Sequence, residues 1–149
     1  MPRLYLDLVV NAAGYVPKRA QFAGWARSAI RDCPRSVRLG VRVVEAREAA
    51  SLNEGFRGRP GPTNVLSFGY EDEDRGAVRF LGDLVLCAPV VAAEARDLAR
   101  PLDAHWAHLV IHGILHLRGF DHETDQDARL METRETQLLE RLGFADPYR

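Results

Sequence analysis

Residues 112–122 read HGILHLRGFDH, and no other stretch limits the possible folds as tightly. His112 and His116 stand four residues apart, so on a helix their rings leave one face, one turn apart. The same helix carries Trp106, Leu109, Val110, Ile114 and Leu117. It is apolar around most of its circumference and must be buried. A stripe of imidazoles in a core is costly without partners, and a single tetrahedral ion can partner both. Gly119 then permits a sharp turn that residues with a β-carbon resist, so the chain can fold back and bring in His122. Three imidazoles around Zn²⁺ leave one position open for water, the ligand count of a catalytic rather than a structural site. The chain has only five His, which weighs against an incidental pairing on a helix face.

The rest of the pattern builds a body for that helix. Leu4, Leu6 and Leu8 alternate with Tyr5 and Asp7, as in a strand. Pro17 opens a helical pattern with Phe22, Trp25, Ala26 and Ile30 on one side, ended by Pro34. A second strand is expected from Val37 to Val44, and a short helix from Glu45 to Asn53, stopped by Gly55. Asn64 to Tyr70 and Val78 to Cys87 are strand-like, separated by the acidic, mobile loop EDEDRG. Pro89 fits the first turn of a helix running to about Arg100. Asp103 can cap the next helix, from about Ala104 to Leu117, which Gly119 stops. Thr124 or Asp125 starts a last helix reaching Leu142, with Gly143 after it. The order predicts an α+β fold: one small mixed four-stranded sheet packed with about five helices, the metal on a central buried helix.

At 149 residues the chain fits a single domain, residues 1–149, and with 46 % apolar residues it can bury a real core. A formal net charge of −1 argues against wholesale coating of nucleic acid but permits a local basic patch. Lys18 is the only lysine. Arginine elsewhere reflects either genome composition or phosphate recognition by forked guanidinium groups. Cys33 and Cys87 form no CxxC pair and read as buried thiols of a reducing cytoplasm. The first residues read as a strand rather than a signal peptide, and no apolar run is long enough to span a bilayer. A cytoplasmic protein without membrane partners is expected.

The histidine spacing equals that of the metzincin peptidases, HExxHxxGxxH, with the Gly in the same place. Gly113, however, occupies the position of their general-base Glu, so peptidase chemistry lacks its usual base. A metallopeptidase or amidase would need another, such as Asp121 or Glu123. HGILHLRGFDH is more fully similar to the signature of the YbeY family of rRNA maturation factors, HGxLHLxGYDH, with Phe120 in the Tyr position. Leu52 to Phe68, LNEGFRGRPGPTNVLSF, resembles that family's LNxxYRxxxxPTDVLSF, with Phe56 for Tyr and Asn64 for Asp. Leu81 to Leu86, LGDLVL, matches its LGDI-type strand.

The resemblance implies a zincin-like fold and a metal-dependent endoribonuclease acting on single-stranded RNA, with one Zn²⁺ on His112, His116 and His122. It implies a role in 3′-end maturation of small-subunit (16S) ribosomal RNA and in ribosome quality control. The small ribosomal subunit, its proteins and an assembly GTPase are the implied partners. A non-catalytic assembly factor stabilised by zinc is the competing reading. The family's active-site arginine falls on Arg57, and Arg59 in the adjoining Gly/Pro-rich loop is placed to touch the RNA backbone. Thr63, Asn64 and Ser67 are candidates to line the cleft.

Several further residues carry open readings. His105 and His108, earlier on the helix, either extend the pocket and orient ligands or are satisfied buried imidazoles. Asp121 either serves a ligand ring or water, or holds its own turn. Asp83 faces either a ligand or a loop amide. Of Phe56, Phe68 and Tyr70, which offer rings for base stacking, about two are expected in the core. Met131 follows the histidines as a methionine does in metzincins, but a helix-core Met is the plainer reading.

Overall fold

The computed structural model describes residues 2–70 and 76–149. The EDEDR stretch, for which a mobile loop is expected, lies outside them. Four strands, β1 (Leu4–Asn11), β2 (Ser36–Val44), β3 (Val65–Gly69) and β4 (Val78–Cys87), form one sheet in the order β1-β2-β4-β3. The first three in that order run parallel, and β3 pairs antiparallel to β4 at the edge. The helices are α1 (Arg19–Ile30), α2 (Ala46–Arg57), α3 (Ala88–Asp97), α4 (Leu102–Leu117) and α5 (Asp125–Arg141). The predicted α+β class, the mixed four-stranded sheet and the five helices are all present.

The sheet divides the molecule into two unequal halves. Leu6, Leu39, Val41, Leu84 and Leu86 project toward α1, α4 and α5, and meet Phe22, Trp106, Ile111, Ile114, Met131 and Leu138 in the main core. Phe22 sits edge-on to both Trp25 and Trp106. The opposite face carries a smaller cluster, Val44, Ala49, Leu66, Val85 and Cys87, under α2. Cys87 is buried as expected, whereas Cys33 is only half-buried; both are free thiols. Met131 belongs to the core. Among the described residues no helix is long and apolar enough to cross a membrane.

Three boundaries differ from the sequence pattern. Helix α2 runs through Gly55 and ends at Arg57, capped by Gly58 at φ 65, whose N–H reaches the carbonyls of Asn53 and Glu54. A mid-helix Gly costs about 1 kcal/mol, less than packing of Ala49 and Leu52 on the sheet returns. Helix α3 stops at Asp97 instead of Arg100, because the chain turns left-handed at Ala99 (φ 52). Helix α4 begins at Leu102 behind Pro101, so Asp103 lies inside the first turn and caps nothing. Its carboxylate accepts instead from the Tyr15 hydroxyl and from Gln21 Nε2 (3.0 Å), tying α4 to α1.

Candidate metal centre

Helix α4 is the central element, with Trp106, Val110, Ile111, Ile114 and Leu115 essentially without solvent exposure. Gly113 faces the sheet. A β-carbon there would stand 2.6 Å from Leu84 Cδ2 and 3.3 Å from Ser67 Oγ, so the close approach of α4 to β3 and β4 leaves no room for a side chain unless Leu84 shifts. The base position of the peptidase pattern is thus filled by the packing surface of the helix.

His112 and His116 emerge on the open side. After Leu117 the chain turns at Gly119 (φ 102), and the N–H groups of Gly119 and Phe120 close onto the carbonyls of His116 (3.0 Å) and Leu115 (3.0 Å). The turn is pinned from outside by Arg118, whose guanidinium donates to the Ala29 carbonyl and to Asp32, both at 2.8 Å. It is pinned beyond by Asp121, which accepts from the Glu123 amide at 2.6 Å. His122 is thereby returned to the α4 histidines. Its ring centroid lies 5.9 Å from that of His112 and 6.1 Å from that of His116.

Three imidazoles on one tetrahedral ion bring ring centroids to about 5 Å. The observed rings are slightly wider, and among the described residues no three metal-binding side chains are already closed to coordination distance. His116 and His122 are exposed, and rotamer changes of exposed side chains are fast, so the rings can converge. Burial, with His112 and His122 close by, holds the His116 imidazole below its ordinary proton affinity, which favours the neutral, ligating form.

His112 is oriented by a residue that the sequence pattern did not reveal. Glu135 of α5 is fully buried. Its Oε1 lies 2.7 Å from His112 Nδ1, and its Oε2 lies 2.8 Å from His108 Nε2 and 2.5 Å from the Tyr148 hydroxyl. Burial alone would raise the carboxyl pKa, but the hydrogen bonds from His108, His112 and Tyr148 outweigh it and bring it from 4.5 to about 2. Burial and the adjacent Glu135 carboxylate push the Tyr148 phenol up, so it stays a donor. Glu135 is separated from His112 by 23 residues. A hydrophobic helix pattern predicts a core position there, and nothing in that pattern predicts a charge.

These groups line a cleft of about 910 Å³ that runs along the free edge of β3. It is lined by His108, His112, His116 and His122, by Phe56, Arg57, Arg59, Thr63, Asn64 and Ser67, and by the carboxylates Glu94 and Asp97. Arg57 occupies the last turn of α2. The following loop is held by the buried Asn53, which donates to the Gly61 carbonyl at 2.9 Å. Phe56 is 70 % exposed and Tyr70 53 %, while Phe68 is half-buried beneath Phe56. The expectation that two of the three lie in the core therefore fails, because α2 covers only part of the outer sheet face.

Asn64 has a specific place. Its Oδ1 accepts from the Val65 amide (2.6 Å) and its Nδ2 donates to both oxygens of Glu94 (3.1 and 3.3 Å). Glu94 also accepts from His105 Nε2 at 2.9 Å. An Asp at 64, as in the YbeY pattern, would set a second carboxylate against Glu94, so the amide here matches its neighbour.

Two candidates lie away from the histidines. Asp83 pairs with Phe68 in register, on the face opposite Leu84, and accepts from the Tyr70 hydroxyl at 2.5 Å. It fits into the space left by Gly40, where a β-carbon would stand 1.9 Å from Asp83 Oδ1. Strand alternation thus sends it to the wrong side of the sheet for a role beside the ligands. Asp121 borders a separate hollow with Arg118 and Asp127 and holds its own turn, so neither it nor Glu123 lines the histidine cleft.

His105 is almost completely buried, and its Nδ1 has no partner among the described residues. Burial, only partly offset by Glu94, pulls its pKa below 6.5. The unfolded chain therefore binds the proton more readily, and His105 contributes stability that is lost as pH falls below 6.5. The thermal midpoint of the metal-free protein minus that of His105→Gln is expected to rise between about pH 5 and 7 and then level off. Scanning calorimetry giving a pH-independent difference would contradict this.

Comparison with known proteins follows the same lines. The family model described as endoribonuclease YbeY matches residues 15–143. The solution structure of TM1509 from Thermotoga maritima is similar to this chain with a TM-score of 0.64 and 26 % sequence identity, over 92 % of this chain and 88 % of that one.

Proposed function

Because the chain belongs to the YbeY endoribonuclease family, we propose that it is a zinc-dependent endoribonuclease specific for single-stranded RNA. On this reading residues 1–149 form one metallohydrolase domain that matures the 3′ end of small-subunit ribosomal RNA and serves ribosome quality control in the cytoplasm. The small subunit, its proteins and an assembly GTPase are its partners.

One observation carries the reading: a single cleft is lined by three histidines, with the His122 ring centroid 5.9 and 6.1 Å from those of His112 and His116, and by the exposed Arg57 and Arg59. A phosphodiester gains negative charge during attack, so cations held close to it lower the barrier. His112, His116 and His122 hold one Zn²⁺. The ion, when bound, supplies Lewis acidity toward a phosphoryl oxygen and makes a water acidic enough to serve as nucleophile. Arg57 grips the reacting phosphate with its planar fork, and Arg59 contacts a neighbouring phosphate. Phe56 presents its ring beside them for a base to stack on. The tight seating of Gly113 against Leu84, with neither Asp121 nor Glu123 in the lining of the histidine cleft, disfavours the peptidase alternative.

The test uses a labelled single-stranded RNA carrying a small-subunit 3′ end. Cleavage should vanish with a chelator and return with zinc. Arg57→Ala should retain stoichiometric zinc but cleave about 10²–10³-fold more slowly. Unchanged cleavage by Arg57→Ala would refute the role of the arginine. Zinc binding that raises the melting temperature, with no cleavage of this RNA or of immature ribosomes, would favour the assembly-factor reading.

A further inference from the structure

We propose that Glu135 is the positioning residue of the metal centre, the buried carboxyl group that gives His112 the tautomer and aim a metal requires; the inference rests on the zinc reading above. Glu135 sets Oε1 against His112 Nδ1 and Oε2 against both His108 Nε2 and the Tyr148 hydroxyl, so Nδ1 is the ring nitrogen of His112 that it engages, as donor to a carboxylate oxygen. His112 therefore carries its proton on Nδ1, leaving the Nε2 lone pair for an ion. A free imidazole populates both tautomers and turns about its side-chain bonds. A carboxylate at 2.7 Å removes both freedoms.

The donor inventory closes around this assignment. His108 gives its Nε2 proton to Glu135 at 2.8 Å. Its Nδ1 is then an acceptor, and Arg100 Nη1 stands 3.3 Å from it. The second guanidinium nitrogen of Arg100 donates to the Pro147 carbonyl, and Tyr148 N–H donates to Asp146 at 2.8 Å. Tyr148 is thus held where its hydroxyl reaches Glu135. Every proton along Arg100, His108, Glu135 and His112 has a single direction, with the carboxylate as the sink. Tyr148 comes from the segment beyond residue 143, where the family match ends, so this chain completes the arrangement with residues outside the matched region.

Glu135→Gln tests the inference in the otherwise intact protein. The amide is nearly isosteric but offers one acceptor and one donor group, so its NH₂ must oppose a donor on either the His112 side or the His108 and Tyr148 side. Zinc affinity, measured by competition with a chromophoric chelator, is expected to fall about 10–100-fold. Nitrogen NMR of the metal-free protein should find His112 protonated at Nδ1 in the wild type and distributed over both tautomers in the variant. Tyr148→Phe, which removes one of the three partners of Glu135 and keeps the ring, should give a smaller loss of affinity and keep the His112 tautomer. Wild-type protein that binds no zinc would overturn the metal reading and this inference with it. Wild type that binds zinc, beside a folded Glu135→Gln variant of equal affinity and unchanged tautomer, would overturn this inference alone.

Discussion

His116→Ala is expected to lose stoichiometric zinc and to cleave RNA about 10³-fold more slowly or worse, while the metal-free protein keeps its melting temperature. The two outcomes separate because of where His116 sits. Its side chain is exposed at the last turn of α4, so truncation removes little packing. It is also one of the three rings proposed to hold the ion, and an ion left with His112 and His122 would have too few protein ligands for a stable tetrahedral site. The rate loss exceeds that of deleting one transition-state donor, because the Lewis acid and the activated water disappear together. Metal content by mass spectrometry, measured beside cleavage on wild type and variant purified identically, reads both. Retained stoichiometric zinc would refute the ligand assignment. Equal cleavage by the two proteins would identify a co-purified ribonuclease.

Gly113→Glu should destabilise the protein by about 3–5 kcal/mol without creating a peptidase. The substitution restores the residue of the peptidase pattern, so sequence alone marks it as a gain of function. In the fold a β-carbon at 113 already lies 2.6 Å from the fully buried Leu84 side chain, with Ser67 Oγ at 3.3 Å. A carboxylate would have to extend between α4 and the β3–β4 pair, displacing Leu84 and burying an unpaired charge. The loss is a large share of the 5–15 kcal/mol that holds a typical domain and lowers the melting temperature by about 10 °C for a chain of this size. Gly113→Ala is the control: Leu84 can yield by a rotamer, at about 1 kcal/mol. A Glu variant with wild-type melting behaviour would show that α4 sits farther from the sheet.

What the sequence determined by itself was everything of short range. The four-residue histidine spacing put two imidazoles on one helix face, and Gly119 permitted the turn that returns His122, since backbone geometry within a dozen residues depends mainly on those residues. Strand-like stretches marked all four strands, the first two by alternation, and Gly143 fitted the end of α5, at φ 91. Where neighbours from elsewhere compete, the pattern was insufficient. Packing on the sheet carried α2 through Gly55, and Tyr15 and Gln21 took Asp103 away from capping.

The centre's finer design belonged to the tertiary structure. Glu135 meets His112 only because α5 packs along α4, and Tyr148 reaches it only because Arg100 holds the end of the chain. Asp83 and Leu84 are neighbours in sequence, yet one stands beside Tyr70 on the outer face and the other beneath α4, since successive strand residues point to opposite sides and only the assembled sheet says which side holds the histidines. A pair of histidines at helical spacing is written in local geometry. The carboxyl group that meets one of them is recruited across 23 residues, where only packing decides which side chains meet.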